Sequence, residues 1–358
     1  MIPGIFPYAR FALRENMLKT AKRRAFAAAM AMAFLPTLIG GGAMVMAAEG
    51  TRLENLRQPP LDTTMMGVLK AAADYHGLNL DAPMIYGLSG HAFLINIHTE
   101  ICPSGPYCWK LEYATPLIEN MGLRMTDLGF FDAGAKQDAR AGVERKLRAA
   151  LDRGVPCSLT NMENQIISGY DAKGFFCSQP WAPKSNFPPG RLTFGSWEEF
   201  GQEVHVNFYT IEKVQPAERR AAILASLDYA ADLWRNPVKH SSKDYGVGPK
   251  AYDNWIAAVP ANGSGHGNWW NATVWSECRR MAAEYFSAIG KENKNAADLC
   301  ARLRSEYLKI AENLHKVNDK AMPSDDKIAL LKETKQLEAE AIDNVQNLAG
   351  ALRAQEKP

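Results

Sequence analysis

The chain has 358 residues, 47% of them apolar, with 41 Lys and Arg against 39 Asp and Glu and a formal net charge of +2. The cationic excess is confined to the first 47 residues: without them six basic side chains and one acidic side chain are gone, and 35 basic groups face 38 acidic ones, about −3. That balance excludes a nucleic-acid partner held by net charge, and the roughly 310 residues that remain suffice for two compact units.

Lys19, Lys22, Arg23 and Arg24 precede an apolar run from Ala25 to Ile39, then Gly40 to Gly42 and Val45-Met46-Ala47-Ala48. This order of charged, hydrophobic and small residues is that of a secretory signal over residues 1–48, with cleavage expected after Ala47 or Ala48 and Met17 as an alternative start. Pro36 and the glycines cut the run short of the roughly 20 apolar residues of a membrane span. A secreted or periplasmic protein without a stable membrane anchor is therefore expected. All six cysteines follow the signal, and an even count in an oxidising compartment implies disulfides. Among the connectivities six cysteines allow, local spacing favours Cys102 with Cys108, Cys157 with Cys177 and Cys278 with Cys300.

Helical spacing of Met65, Met66, Val68, Leu69, Ala72 and Ala73 predicts a buried helix that Gly77 stops. Residues 84–98 read as a glycine-rich turn feeding a strand. An amphipathic helix is expected over 140–153, and strands over 155–159, 165–170 and 174–177. An irregular stretch marked by Pro183, Pro188 and Pro189 follows, then a short helix at 197–200 and a strand over 204–214. A central helix followed by an antiparallel meander is an α+β unit. Beyond Pro216 the pattern turns helical, over 220–234, 249–259, 270–289, 296–317 and 325–352. The last two of these are expected to form a hairpin packed on its own domain, with Ser324 or Asp325 capping the second.

Gly87-Leu88-Ser89-Gly90-x-Ala92-Phe93, the helix ending in Gly154-Val155-Pro156, and Ile166-Ile167-Ser168-Gly169-Tyr170-Asp171 follow one another in an order that resembles a known family. It is similar to the N-terminal domain of the butirosin biosynthesis protein H-like acyltransferases, a papain-like, C39-like cysteine peptidase fold. Asp244-Tyr245-Gly246, Ala251-Tyr252-x-x-Trp255-Ile256 and Glu277-Cys278-Arg279-Arg280-x-Ala282-Ala283 resemble the helical domain that accompanies it. Together the matches cover most of residues 60–290. The resemblance implies a papain-like domain over 49–215 and a helical domain over 216–300; the helical hairpin expected over 301–358 falls outside it.

It also implies a cysteine at the start of the central helix, a histidine on the first strand of the meander and an acid that orients it. The chain departs from all three: the helix starts Thr63-Thr64-Met65, the histidine position falls within Glu163-Asn164-Gln165, and the acid position falls near Gln179. Three readings follow. The domain binds a peptide, amide or small amine in the former active-site cleft. Alternatively it is an acyltransferase or amide hydrolase with relocated chemistry, Glu163 as acid or base and Thr64 as nucleophile. The third is a structural or interaction protein that uses the helical half.

Cys102 lies close in sequence to His91 and His98, the pair of residue types that would activate a thiolate, but export favours its disulfide. Seven residues along a strand put His91 and His98 on opposite faces, which argues against a metal site, and no cofactor is expected. Gly87, Ser89 and Gly90 are candidates to offer backbone N–H groups to a ligand carbonyl, beside His91. Trp269 and Trp270, expected in a loop over 263–271, are candidates for stacking on a flat ligand. The sequence contains no phosphate loop, HExxH helix or GxSxG elbow.

Overall fold

The computed structural model describes residues 50–354, so the signal read in 1–48 lies outside the described residues. The chain begins with β1 (Gly50–Arg52), α1 (Thr64–Tyr75) and α2 (Ala82–Leu88), then β2 (Asn96–His98), α3 (Thr115–Asn120), β3 (Leu123–Asp132) and α4 (Gln137–Asp152). A meander follows: β4 (Cys157–Thr160), β5 (Asn164–Asp171), β6 (Gly174–Cys177), β7 (Arg191–Thr193) and β8 (His205–Lys213). The remainder is helical apart from one short strand: α5 (Arg219–Arg235), α6 (Pro237–His240), β9 (Tyr245–Val247), α7 (Pro249–Asn262), α8 (His266–Glu292), α9 (Ala297–Val317) and α10 (Ser324–Ala354). Among the described residues no helix is long and apolar enough to cross a membrane.

The fold is α+β with an antiparallel sheet. Seven strands run in the order β3-β8-β4-β5-β6-β7, with β1 beside the second half of β5. A separate ribbon pairs β2 with β9 and ties the first half of the chain to the second. In α4 the buried residues Val143, Leu147, Ala150 and Leu151 repeat every three or four positions, so one face lies on the sheet while charged residues take the other. Gln58 fastens the start of α1 to β5: its amide donates to the carbonyls of Thr64 (3.2 Å) and Asn164 (2.9 Å) and accepts from the Ile166 N–H (2.9 Å).

The hydrophobic core is continuous from Leu53 to Leu352 and crosses both borders expected from the sequence, near 216 and near 300. Helix α10 contributes Leu331, Ala341, Ile342, Val345, Leu348 and Leu352 to it, against α5, α7 and α9. Glu338 interrupts that apolar stripe and is 1% exposed. It accepts from Tyr252 Oη at 2.5 Å and pairs with Arg279 of α8 at 2.6 Å. The Arg279 guanidinium also donates to the carbonyls of Ala92 (3.1 Å) and Leu94 (2.6 Å). Burial works against its charge, but Glu338 and Tyr252 hold its pKa above the ordinary value.

The structure corrects three local expectations. Residues 84–98 are mostly not strand: Asp81 accepts from the Met84 N–H (3.0 Å) and starts α2, and His91–Phe93 form a 3₁₀ turn. Gly90 makes the break between them, with φ +75° and a ring of Tyr229 where a Cβ would stand. Strand β3, unforeseen, pairs with β8 along its whole length, but a bulge between Asp127 and Gly129 shifts its period-two pattern halfway. Trp269 and Trp270 belong to the first turns of α8, not to a loop.

None of the expected disulfides is present; all six cysteines are free thiols. Cys157 and Cys177 lie opposite Ile167 on the two strands that flank β5. Two strand spacings separate them, about 10 Å, beyond the roughly 7 Å that a disulfide spans between Cα atoms. Cys300 packs against Gly290, twelve residues after Cys278 and so about 18 Å along the helix from it. Cys278 instead meets the Thr63 hydroxyl at 3.4 Å. Cys108 is buried beside the hydroxyls of Tyr245 and Ser104, while Cys102 stands partly exposed in the loop before it.

Candidate functional site

The turn from β4 to β5 is three residues long, and Thr160 and Asn164 pair across it, so Glu163 projects at the mouth of the hairpin. The first residue of α1, Thr64, lies beside it. Thr64 Oγ1 donates to Glu163 Oε2 at 2.8 Å and accepts from the Asn164 N–H at 3.1 Å. On the other carboxylate oxygen, Tyr107 Oη donates to Oε1 at 2.6 Å and itself accepts from Trp270 Nε1 at 2.9 Å. Two donor chains thus converge on one carboxylate, from the backbone of β5 through Thr64 and from α8 through Tyr107. Tyr107 comes from the loop over 102–108, which turns back on itself through Cys108 N–H to the Ser104 carbonyl (3.0 Å).

Glu163 is 6% exposed. Burial pushes its pKa from 4.5 up to about 8; the hydroxyls of Tyr107 and Thr64 pull the other way, and nearby Asp62 raises it further. Asp62, just ahead of α1, is raised to about 6 by burial and by Glu277, against Arg280. No cationic side chain pairs with Glu163 among the described residues.

Asp62 and Glu163 line a cleft of about 1010 Å³. The first turns of α8 contribute His266, Trp269 and Trp270 to one wall, and Trp181 and Phe187 reach over from the proline-rich stretch after β6. The Trp181 and Trp270 rings meet at 88° with centroids 5.9 Å apart, and Trp269 lies 5.5 Å from Trp270 at 34°. The floor toward the far end is the face of β8 carrying His205, Asn207 and Tyr209. Gln165 and Gln179 hold the proline-rich stretch. The amide of Gln165 donates to the carbonyls of Ser178 (2.6 Å) and Pro189 (2.8 Å), and that of Gln179 to Asn186 (3.0 Å) and Pro188 (2.9 Å). Both therefore pin the stretch that carries Trp181.

Of the residues singled out from the sequence, Glu163, Thr64, Trp269 and Trp270 converge here, with Thr64 just behind the cleft wall at 1% exposure. Ser89, Gly90 and His91 do not line the cleft. The Ser89 hydroxyl donates to the Tyr86 carbonyl (3.2 Å) at the end of α2, so this segment is a packed turn rather than a ligand loop. His91, 2% exposed between Trp109 and Trp275, has no hydrogen-bond partner on either ring nitrogen, and burial with the nearby Arg279 lowers its pKa to about 3. Cys102 is outside the cleft, its carbonyl held by the Asn271 amide at 3.0 Å. Sequence reasoning missed Asp62, Tyr107 and Trp181. The Pro-Ser-Gly-Pro-Tyr turn and the Gln-Pro-Trp string were visible signals for two of them, but nothing local links either to Glu163.

Among the described residues no group of three or more His, Cys, Asp and Glu side chains is arranged to hold a metal ion. Comparison of the sequence with protein-family models and with curated proteins finds no match, so the site's own geometry carries the functional argument.

Proposed function

We propose that this is a binding protein of papain-like, butirosin biosynthesis protein H-like descent, exported by the signal read in 1–48, whose cleft takes an organic cation against Glu163. The observation that carries the reading is a carboxylate nearly sealed from solvent, supplied with two hydroxyl donors and no cation, on the wall of a large aromatic cleft. A buried carboxylate without a positive partner is costly, which is why Glu163 holds its proton up to about pH 8. A cationic ligand supplies the missing charge. The rest of the lining agrees: five acids, Asp62, Glu112, Glu119, Asp127 and Glu163, face only Arg124 and Lys184, and Arg124 is already paired with Glu119 at 2.8 Å. Papain-like descent is supported by the start of α1 set against β5, with Thr64 where that fold carries its nucleophile.

Calorimetric titration with alkylamines and with the alcohols of the same carbon skeleton tests the reading. Binding of the amines alone, lost in Glu163→Gln, is expected; equal binding of amine and alcohol, or none of either, sinks it.

The 2.8 Å contact of Thr64 with Glu163 favours one second reading, an acyltransferase or amide hydrolase with Thr64 as nucleophile and Glu163 as its base. Against it, Thr64 Oγ1 already accepts from the Asn164 N–H and does not line the cleft. Turnover of a thioester or amide by the wild type, abolished in Thr64→Val, would restore it. For the third reading, a partner surface on the helical half, the apolar stripe of α10 is already packed inside.

A further inference from the structure

Resting on the organic-cation reading, we infer that the group this cleft takes is a quaternary ammonium, seated in the box of Trp181, Trp269 and Trp270 beside Glu163. A primary ammonium brings three N–H donors that must each find an acceptor once out of water. Acceptors do not separate the two kinds of cation: each Glu163 oxygen receives one hydroxyl, from Thr64 or Tyr107, and keeps a second lone pair, and Asp62 stands nearby. What the site has in quantity is aromatic surface. Trp181 and Trp270 meet edge to face at 88° and 5.9 Å and so form a corner, and Trp269 lies tilted against Trp270 at 34° and 5.5 Å. All three line the cleft together with Glu163 and Asp62.

A quaternary ammonium suits such a corner. It carries no N–H to satisfy and spreads its charge over methyl groups that contact ring faces, where the quadrupole is negative. It also surrenders less hydration on entering an apolar box than a compact ammonium does. The carboxylate then acts at contact distance as a counter-ion rather than as a hydrogen-bond acceptor.

The test is calorimetric titration of the full chain at about pH 8.5, where most of Glu163 is ionised, with choline, ethanolamine and 3,3-dimethylbutan-1-ol. These share a hydroxyalkyl skeleton and differ in methylation and in charge. Choline is expected to bind about tenfold tighter than ethanolamine, and ethanolamine in turn tighter than the uncharged alcohol. Trp181→Leu, which keeps apolar bulk where this half-buried side chain packs against the core, is expected to remove most of that preference, and Trp181→Phe to restore part of it. Ethanolamine binding as tightly as choline, or a choline preference unmoved in Trp181→Leu, overturns the quaternary-ammonium inference and leaves the organic-cation reading standing. Equal binding of choline and the neutral alcohol, or no binding of any of the three, overturns both.

Discussion

Glu338 and Glu163 are both close to sealed from solvent, 1% and 6% exposed, and each receives a tyrosine hydroxyl at hydrogen-bond distance. They differ in what completes the shell. Glu338 meets the Arg279 guanidinium at 2.6 Å, so its charge is matched inside the fold. Glu163 meets a threonine hydroxyl and then open cleft. One is a closed structural pair that makes the helical layers depend on each other; the other is an acid for which the fold supplies no cation. A buried acid becomes a candidate site only when the protein has withheld its counter-ion.

The comparison can be broken most sharply at Glu338. Replacing it with Ala strands the Arg279 charge in the core and is expected to cost about 3–5 kcal/mol in urea unfolding; a loss under about 1 kcal/mol would mean the pair is not buried as described. Glu163→Gln is expected to act with the opposite sign. The folded pKa of about 8 lies above the ordinary 4.5, so the empty wild type has its full stability below pH 4.5 and loses it as pH rises toward 8. The glutamine variant escapes that loss and is expected to be more stable by on the order of 2–4 kcal/mol at pH 9, with no advantage at pH 4. Parallel unfolding curves at both pH values would refute it.

Ligand binding carries the same proton. On the proposed reading a cation pairs with the ionised form of Glu163, so affinity for a permanently charged ligand is expected to fall about tenfold for each pH unit below 8. A flat profile from pH 6 to 9 would detach binding from Glu163. Tyr107→Phe removes one of the two hydroxyls that oppose the raised pKa, worth about 1 kcal/mol, and is expected to move the onset of binding to higher pH. The smallest effect concerns the thiols: Cys157, Cys177, Cys278 and Cys300 are expected to alkylate in denaturant without reductant, as mass spectrometry would report.

The sequence was legible where one element carries its own signal. The buried stripes of α1, α4 and the helices after Pro216 appear at helical spacing, and β4, β5 and β6 at their turns. It was misleading where closeness along the chain was taken for closeness in space. Cys157 and Cys177 flank one strand and are kept apart by it, and Ser89 and His91, next to a glycine turn, face inward. Of the site, Glu163 and Thr64 were reached through the positions a papain-like fold assigns to its working groups. Asp62, Tyr107 and Trp181 were not, because each joins the cleft through a loop whose path is set by distant partners: Glu277 on the Asp62 N–H (3.2 Å), Asn96 on the Gly105 carbonyl (2.8 Å), and Gln179 on the chain around Pro188.

The pairing of Arg279 with Glu338 also orders events in time. The two residues are 59 positions apart, and α8, which carries Arg279 at its middle, carries Trp269 and Trp270 in its first turns. While the chain is being made, that guanidinium has no carboxylate to neutralise it until residue 338 emerges, so α8 cannot settle into the interior early. The tryptophan wall of the cleft is therefore among the last surfaces to be set. An incomplete chain would present a sheet and a carboxylate without the aromatic corner.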